Sequence, residues 1–280
     1  MTRWFDEILH DGYALRLGAN AVLCERDTGH QQLAIFETAL FGRALMLDNI
    51  VQTTERDEFI YHEMIIHVPL LALGAARRVL VIGGGDGGAI EEVLKHRTVE
   101  HVRLVELDAE VVKACREYLP SICGDAFDDA RLSLTIGDGL AFVSESAERF
   151  DVIVVDSTDP VGPGVALFSP TFYAACKRCL TPGGILVTQA GVPFVQGSVL
   201  RDTLSGLRRH FAAATCYLAT VPTYIGGPMA FGWASDDPTL ANVPAALLAD
   251  RLGEAAIETR YYTPTVHRAA FALPAYVHSN

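Results

Sequence analysis

The sequence is short of positive charge. Lys and Arg number 22 against 34 Asp and Glu, a formal net charge of −12. A surface of that sign repels phosphate backbones and anionic headgroups, which argues against nucleic acid and membranes as partners and fits a cationic substrate. Unbroken apolar runs are scarce as well. The uncharged stretch 179–200 is interrupted by Pro182, Gly183, Gly184, Gln189, Gly191, Pro193 and Gln196, so no membrane span is expected there. Met1-Thr2-Arg3-Trp4-Phe5-Asp6-Glu7 has no apolar h-region, so no secretory signal is expected. Six cysteines (Cys24, Cys115, Cys123, Cys176, Cys179, Cys216) are few for this length, and a reduced, cytoplasmic protein accounts for them.

Several familiar catalytic signatures are missing too. Cys176 and Cys179 form a CxxC, but on an expected helix and with no second pair, so no metal site is expected. His62 and His67 stand five apart, not the four of a zinc-protease helix. Five residues turn a helix by about 500°, which points the two rings to different sides. Neither a Walker A sequence nor a G-x-S-x-G elbow occurs.

What is present suits one large α/β domain with a small appendage. Half of the 280 residues are hydrophobic and 20% are charged, enough for a packed core. In 1–55, short apolar runs at 21–25, 32–37 and 44–47 are separated by Asp27-Thr28-Gly29 and Phe41-Gly42-Arg43, which predicts a small β domain. It is too small for a core of its own and is expected to pack on the larger unit or on a second subunit. From 56 to 280 the pattern changes. Residues 57–73 have helical periodicity, and then strands (79–82, 101–107, 132–136, 151–155, 185–188) alternate with helices (89–96, 109–118, from 139, 171–180 with Pro170 leading). Segments 199–210, 215–221 and 229–234 are the last elements expected. That alternation implies a Rossmann-like α/β fold built on a parallel, doubly wound sheet.

Acidic residues concentrate where such a sheet binds ligands. Residues 86–159 hold 17 acidic and 7 basic side chains. Gly83, Gly85 and Gly88 fit G-x-G-x-x-G between a strand and a helix, where glycines let backbone approach a ligand. Asp86 inside that loop opposes a pyrophosphate by roughly 1–4 kcal/mol, so the loop suits an ammonium or sulfonium instead. Glu106 ends the next strand, 23 residues after Gly83, where a carboxylate accepts hydrogen bonds from ribose hydroxyls. Asp138-Gly139 follows the third strand. Asp138 can accept from an exocyclic adenine amine or serve as a helix N-cap, and the local sequence leaves both open. A cationic adenosine ligand without phosphate points to S-adenosylmethionine or a relative, hence to a sulfonium-dependent transferase. Asp156-Ser157-Thr158-Asp159-Pro160 ends the fourth strand, and the Gly/Pro-rich stretch after it can act as a lid.

At this point the sequence resembles the polyamine aminopropyltransferases, most closely the bacterial spermidine synthase type. The resemblance rests on Trp4-Phe5-Asp6-Glu7, Leu47-Asp48-Asn49-Ile50-Val51-Gln52, Asp57-Glu58-Phe59-Ile60-Tyr61-His62-Glu63-Met64 and Gly83-Gly84-Gly85-Asp86-Gly87-Gly88. Val105-Glu106-Leu107-Asp108, residues 156–163 and Val221-Pro222-Thr223-Tyr224 continue it in order along nearly the whole chain. It implies transfer of an aminopropyl group from decarboxylated S-adenosylmethionine, a co-substrate rather than a resident cofactor, to putrescine. The products would be spermidine and 5′-methylthioadenosine, with no metal and in a homodimer or higher homo-oligomer.

The resemblance also implies site residues. Glu106 would hold the ribose and Asp138 and Gly139 the adenine, with Gln31 and Pro163 lining the thioadenosine pocket. Asp86 and His62 would contact the aminopropyl or polyamine part. Asp156 would accept the proton and Asp159 anchor the diamine, with Ser157 and Thr158 beside them. Tyr61, Gln189 and Tyr224 would line the amine channel. One departure stands out: the family commonly carries Arg-Glu after the glycine loop, and here the pair is Glu91-Glu92. Two rivals remain, an ordinary S-adenosylmethionine methyltransferase and a catalytically silent paralogue. The acids would repel the methionine carboxylate of the first, and their full set argues against the second.

Overall fold

The computed structural model describes residues 2–278. Met1, Ser279 and Asn280, at the outer ends of the expected 1–55 and 56–280 units, lie outside the described residues. The first unit is an antiparallel sheet of β1 (Arg3–His10), β2 (Tyr13–Asp27), β3 (Gln32–Thr38), β4 (Gly42–Leu47) and β5 (Ile50–Thr54), paired in chain order. The sequence reading missed β1, the first half of β2 and β5. In β1 and β2 buried residues alternate with exposed or half-buried ones, so no continuous apolar run marks them. Asp48 and Asn49 close the β4–β5 hairpin with φ of 49° and 62°, the left-handed pair that a two-residue type I′ turn needs.

One face of this sheet, with Leu33, Ile35, Leu45 and Leu47, packs on Val111, Ala114, Cys115 and Leu119 of the second unit. The small sheet therefore shares a core with its neighbour.

The second unit runs α1 (Glu58–Leu73), β6 (Arg78–Gly83), α2 (Gly88–Leu94), β7 (His101–Glu106), α3 (Ala109–Tyr118), α4 (Pro120–Cys123), β8 (Leu132–Ile136), α5 (Gly139–Glu145), β9 (Phe150–Asp156), α6 (Pro170–Cys179), β10 (Leu180–Gln189), α7 (Gly197–Arg208), β11 (Ala213–Ala219) and β12 (Met229–Ser235). The sheet order is β11-β12-β10-β9-β6-β7-β8. Five strands are parallel, with Val79–Ile82 and Val152–Val155 buried on both faces. The expected doubly wound sheet is present, and its parallel part ends at β10. β12 runs antiparallel to both β10 and β11. Residues 220–228 contain no crossover helix, so the chain can only turn back beside β11. Three further helices, α8 (Ala245–Ala255), α9 (Pro264–Ala270) and α10 (Ala275–His278), follow the last expected element. No strand alternates with them to give the pattern away. No helix among the described residues is long and apolar enough to cross a membrane.

β6 and β9 lie side by side, while the chain leaves β6 toward β7 on one flank and β9 toward β10 on the other. That is the switch point of a doubly wound sheet, where a crevice opens at the carboxyl ends of the strands. Gly83 pairs with Asp156 in register, and the Gly84 N–H donates to the Asp156 carbonyl at 2.7 Å. Gly83 has φ +79°, and a Cβ there would stand 2.0 Å from that carbonyl oxygen. Only glycine meets both demands. Gly83→Ala should lower stability by at least about 1–3 kcal/mol, read as a reduced urea midpoint; an unchanged midpoint would show that the two strand ends can part freely.

Candidate active site

Four strand ends deliver acids into one cleft at this switch point. Asp86 follows β6, Glu106 ends β7, Asp138 follows β8, and Asp156 ends β9 with Asp159 close behind. Every residue named from the sequence lines the cleft: Gln31, Tyr61, His62, Asp86, Glu106, Asp138, Gly139, Asp156, Ser157, Thr158, Asp159, Pro163, Gln189 and Tyr224. None of its acids pairs with a lysine or arginine among the described residues.

The acids differ in their surroundings. Asp86 accepts from the Gly88 N–H at 3.0 Å and faces His62 Nε2 at 3.5 Å. Burial pushes its carboxyl up, but the His62 charge and hydrogen bond, with the Gly88 N–H, outweigh that and hold it below the ordinary value. Glu106 accepts from the Asp108 N–H at 2.8 Å. Its burial wins, and the carboxyl is pushed up to about 7, with Asp108 and Asp86 adding to the rise. Asp156 Oδ1 accepts from the Tyr61 hydroxyl at 2.8 Å, while Oδ2 is buried with no hydrogen-bond partner. Burial and then the Asp86 charge raise Asp156 to about 6, against the His62 charge and the Tyr61 hydrogen bond. Asp159 is raised by burial, although Gln196 Nε2 donates to its Oδ2 at 2.6 Å.

The remaining residues are held by identifiable contacts. Asp138 caps α5, accepting from the Ala141 N–H at 2.7 Å, so the capping reading holds while the side chain still lines the cleft. Gln31 reaches in from the small sheet and donates to Asp108, which also accepts from the Thr28 hydroxyl. Gln189 donates to the Thr158 carbonyl and accepts from the Gly191 N–H, so it shapes the backbone beside Asp159. Tyr224 hydrogen-bonds the Gln52 carbonyl and sets its ring edge-on to Tyr61, 5.8 Å between centroids. Asp57, beneath them, accepts from Thr54 and from both the N–H and hydroxyl of Thr223, which locks the Tyr224 turn to the start of α1. The unusual Glu91 is compensated locally: Lys95 Nζ lies 2.8 Å from both Glu91 and Glu92.

Two lining residues escaped the sequence reading. Glu7 accepts from the Val51 N–H at 3.0 Å and is pushed up to about 7, by burial first and with the Asp159 charge adding to it. Phe5, Glu7 and Leu9 alternate along β1, with Phe5 buried and the other two lining the cleft. A carboxylate in step with an inward phenylalanine was the available signal. Gln196, the partner of Asp159, sits in a loop that no pattern marks.

Fold and cleft together define a Rossmann-like α/β transferase. Residues 58–243 match the family model described as the spermine/spermidine synthase domain, and residues 3–55 match the spermidine synthase tetramerisation domain. A polyamine aminopropyltransferase of Ruegeria sp. (strain TM1040) is 55% identical over 274 residues, covering 98% of this chain and 96% of that one. Polyamine aminopropyltransferase 1 of Pseudomonas aeruginosa is 54% identical over 273 residues, with the same coverage. Among solved structures, a spermidine synthase in complex with the transition-state analogue AdoDATO superposes with TM-score 0.94 at 35% identity, covering 100% of this chain and 96% of that one. Spermidine synthase from Thermotoga maritima gives 0.90 at 33%, covering 100% and 95%. The chain belongs to the spermine/spermidine synthase family. It is an aminopropyltransferase, which displaces both the methyltransferase and the silent-paralogue readings.

Glu106 gives a proton-linked test. Its carboxyl is raised, so near pH 7 it is partly protonated in the empty cleft. Ribose hydroxyls bound here would donate to the ionised form and pull its pKa down, so binding of 5′-methylthioadenosine should release about half a proton at pH 7. Calorimetry in buffers of different ionisation enthalpy reads this directly, and the release should vanish in Glu106→Gln together with tight binding.

Proposed function

We propose that this enzyme transfers the aminopropyl group of decarboxylated S-adenosylmethionine to putrescine, yielding spermidine and 5′-methylthioadenosine, with Asp156 as proton acceptor. The observation that carries the reading is Asp156 Oδ2, a buried acceptor with no hydrogen-bond partner among the described residues, in a cleft where none of those residues is an arginine or lysine answering the acids.

The chemistry sets the requirements. The acceptor amine must lose a proton before it can attack, and an amine with pKa near 10.4 costs roughly 4–5 kcal/mol to deprotonate at pH 7. A carboxylate at 3.8 is a poor base for it; at about 6 the mismatch shrinks by roughly 3 kcal/mol. The freed lone pair attacks the methylene next to the sulfonium. The carbon–sulfur bond breaks, its electron pair goes to sulfur, and the neutral thioether leaves as methylthioadenosine. The nitrogen's proton passes to Asp156. Asp159 anchors the far ammonium of the diamine, and Glu7 adds a second carboxyl at that end. The Tyr61 and Tyr224 rings offer faces to a desolvated cation. On the nucleoside side Glu106 takes the ribose hydroxyls, while Asp138, Gly139, Gln31 and Pro163 surround the adenine. Ser157 and Thr158 carry the backbone between the two carboxylates, and no resident cofactor is required.

The protein works as a homo-oligomer in this reading. Trp4 and Ile8 on β1 are 54% and 74% exposed, an apolar surface on the small sheet that a second copy would cover. The match of residues 3–55 to a tetramerisation domain supports it.

Asp156→Asn should leave the affinity for methylthioadenosine nearly intact and lower kcat by about 10²–10⁴-fold. Near-normal turnover in that variant would remove Asp156 from the base role. Chromatographic product analysis with putrescine, cadaverine, agmatine and spermidine as acceptors tests the amine; the largest kcat/KM is expected for putrescine.

A further inference from the structure

The imidazole of His62 is gripped by carboxylates at both nitrogens. Nδ1 lies 2.8 Å from Glu58 Oε2, one turn earlier on α1, and Nε2 lies 3.5 Å from Asp86 Oδ2. His62 and Glu58 side chains are only 2% and 12% exposed. A neutral imidazole has one N–H and one lone pair. In either tautomer one carboxylate would face a lone pair across a dry gap. Only the cation donates in both directions. The ring's seat is fixed as well: a Cβ on Gly88 would stand 2.2 Å from imidazole Cε1 and 2.3 Å from Nδ1, so the space exists because Gly88 has no side chain. Asp156 completes the group, since one ligating atom each from His62, Asp86 and Asp156 lies within 4.8 Å of the others.

We infer that Glu58 is a positioning residue: its carboxylate keeps His62 a cation, and that cation aims Asp86 at the donor's positive arm and separates the charges of Asp86 and Asp156. The inference rests on the reading above of the donor and of Asp156 as base. Glu58 lies behind the ring and acts through His62. The groups facing the imidazole are Glu58 and Tyr61 from α1, Asp86 from the loop after β6, Gly88 from α2, and Asp156 from β9. Glu91 of α2 faces Glu58 in turn, but its charge is answered by Lys95. Burial by itself would push His62 down; Asp86 and then Glu58 reverse that and hold it well above the ordinary histidine value.

Without the Glu58 charge the imidazole loses its proton at lower pH. Two carboxylates, Asp86 and Asp156, would then confront each other with no cation between, and Asp86 would lose the N–H that orients it.

The unliganded wild-type enzyme offers the first test. At pH 8 its His62 imidazole should show two N–H protons by nitrogen-15 NMR, assigned by their absence in His62→Gln. A single N–H overturns the inference, with no substitution at Glu58 needed. Glu58→Gln keeps an acceptor for Nδ1–H and removes the charge. In it the His62 titration should fall by about one pH unit or more, and the alkaline limb of kcat/KM for the donor should move down with it. Glu58→Asp, which restores the charge, should recover that limb. A loss of kcat/KM by the same factor at every pH, or an unmoved His62 titration, would mean that Glu58 only supports the helix. These outcomes are independent of the proton acceptor: an active Asp156→Asn enzyme with the His62 shift intact would refute the base and leave Glu58 in place.

Discussion

Buried carboxylates without arginine or lysine partners are the constraint on which the rest depends. An ionised carboxylate in a dry cleft is costly unless something answers it. Here the answers are few: backbone N–H groups of Gly88, Asp108 and Val51, hydroxyls and amides of Tyr61 and Gln196, and one imidazole. The deficit appears as raised carboxyl pKa values, about 7 at Glu106 and Glu7 and about 6 at Asp156. An acid raised on folding withdraws stability as pH climbs from its ordinary value to the raised one, so these groups oppose the empty fold at neutral pH. In the proposed reaction, cationic and hydroxyl-bearing ligands would supply what is missing. The protein is thus least satisfied in the state in which it is ready to bind.

The backbone makes this arrangement possible. β6 and β9 must approach closely for four acids to share one crevice, and glycine takes up the crowding at each point. Gly83 yields to the Asp156 carbonyl, Gly85 leaves room for the Glu106 carboxylate, and Gly88 makes room for the His62 ring. The glycine loop here makes space for anions and an imidazole, where a dinucleotide fold uses the same spacing to approach a phosphate.

Much of the site was legible in the sequence because it sits at strand ends. An acid at or just after the end of a strand is a local signal, and Asp86, Glu106, Asp138 and Asp156 each carried it, after apolar runs in β6 and β9 and after alternating segments in β7 and β8. Gln31, Pro163 and Tyr224 had no such signal, and the family resemblance alone suggested them. Glu7 was quoted without a role because its meaning depends on which face of β1 turns inward, a tertiary fact. Gln196 acts on another side chain, and sequence spacing does not reveal a partner 37 positions away, as between Gln196 and Asp159; Glu58 stands at helical i,i+4 spacing from His62, a signal that was available and not used. In the fold, the parallel core was readable from its apolar runs. The reversal at β12 was not, since an antiparallel strand inside the sheet, buried on both faces, looks the same as a parallel one.

Helix α1 is also clamped from behind. Glu63, next to His62 in the chain, accepts the N–H groups of Arg260, Tyr261 and Tyr262 at 2.7, 2.9 and 2.6 Å. Three backbone donors on one carboxylate bolt the C-terminal segment to the helix that carries Tyr61 and His62. The other wall, residues 157–168, is a loop that ends in the 3-10 helix Gly162–Phe168, with Val161 and Val165 exposed. The two sides of the cleft are therefore unequally braced: residues 260–262, which are not among those lining it, hold the helix on one side through Glu63, and a short turn forms the other.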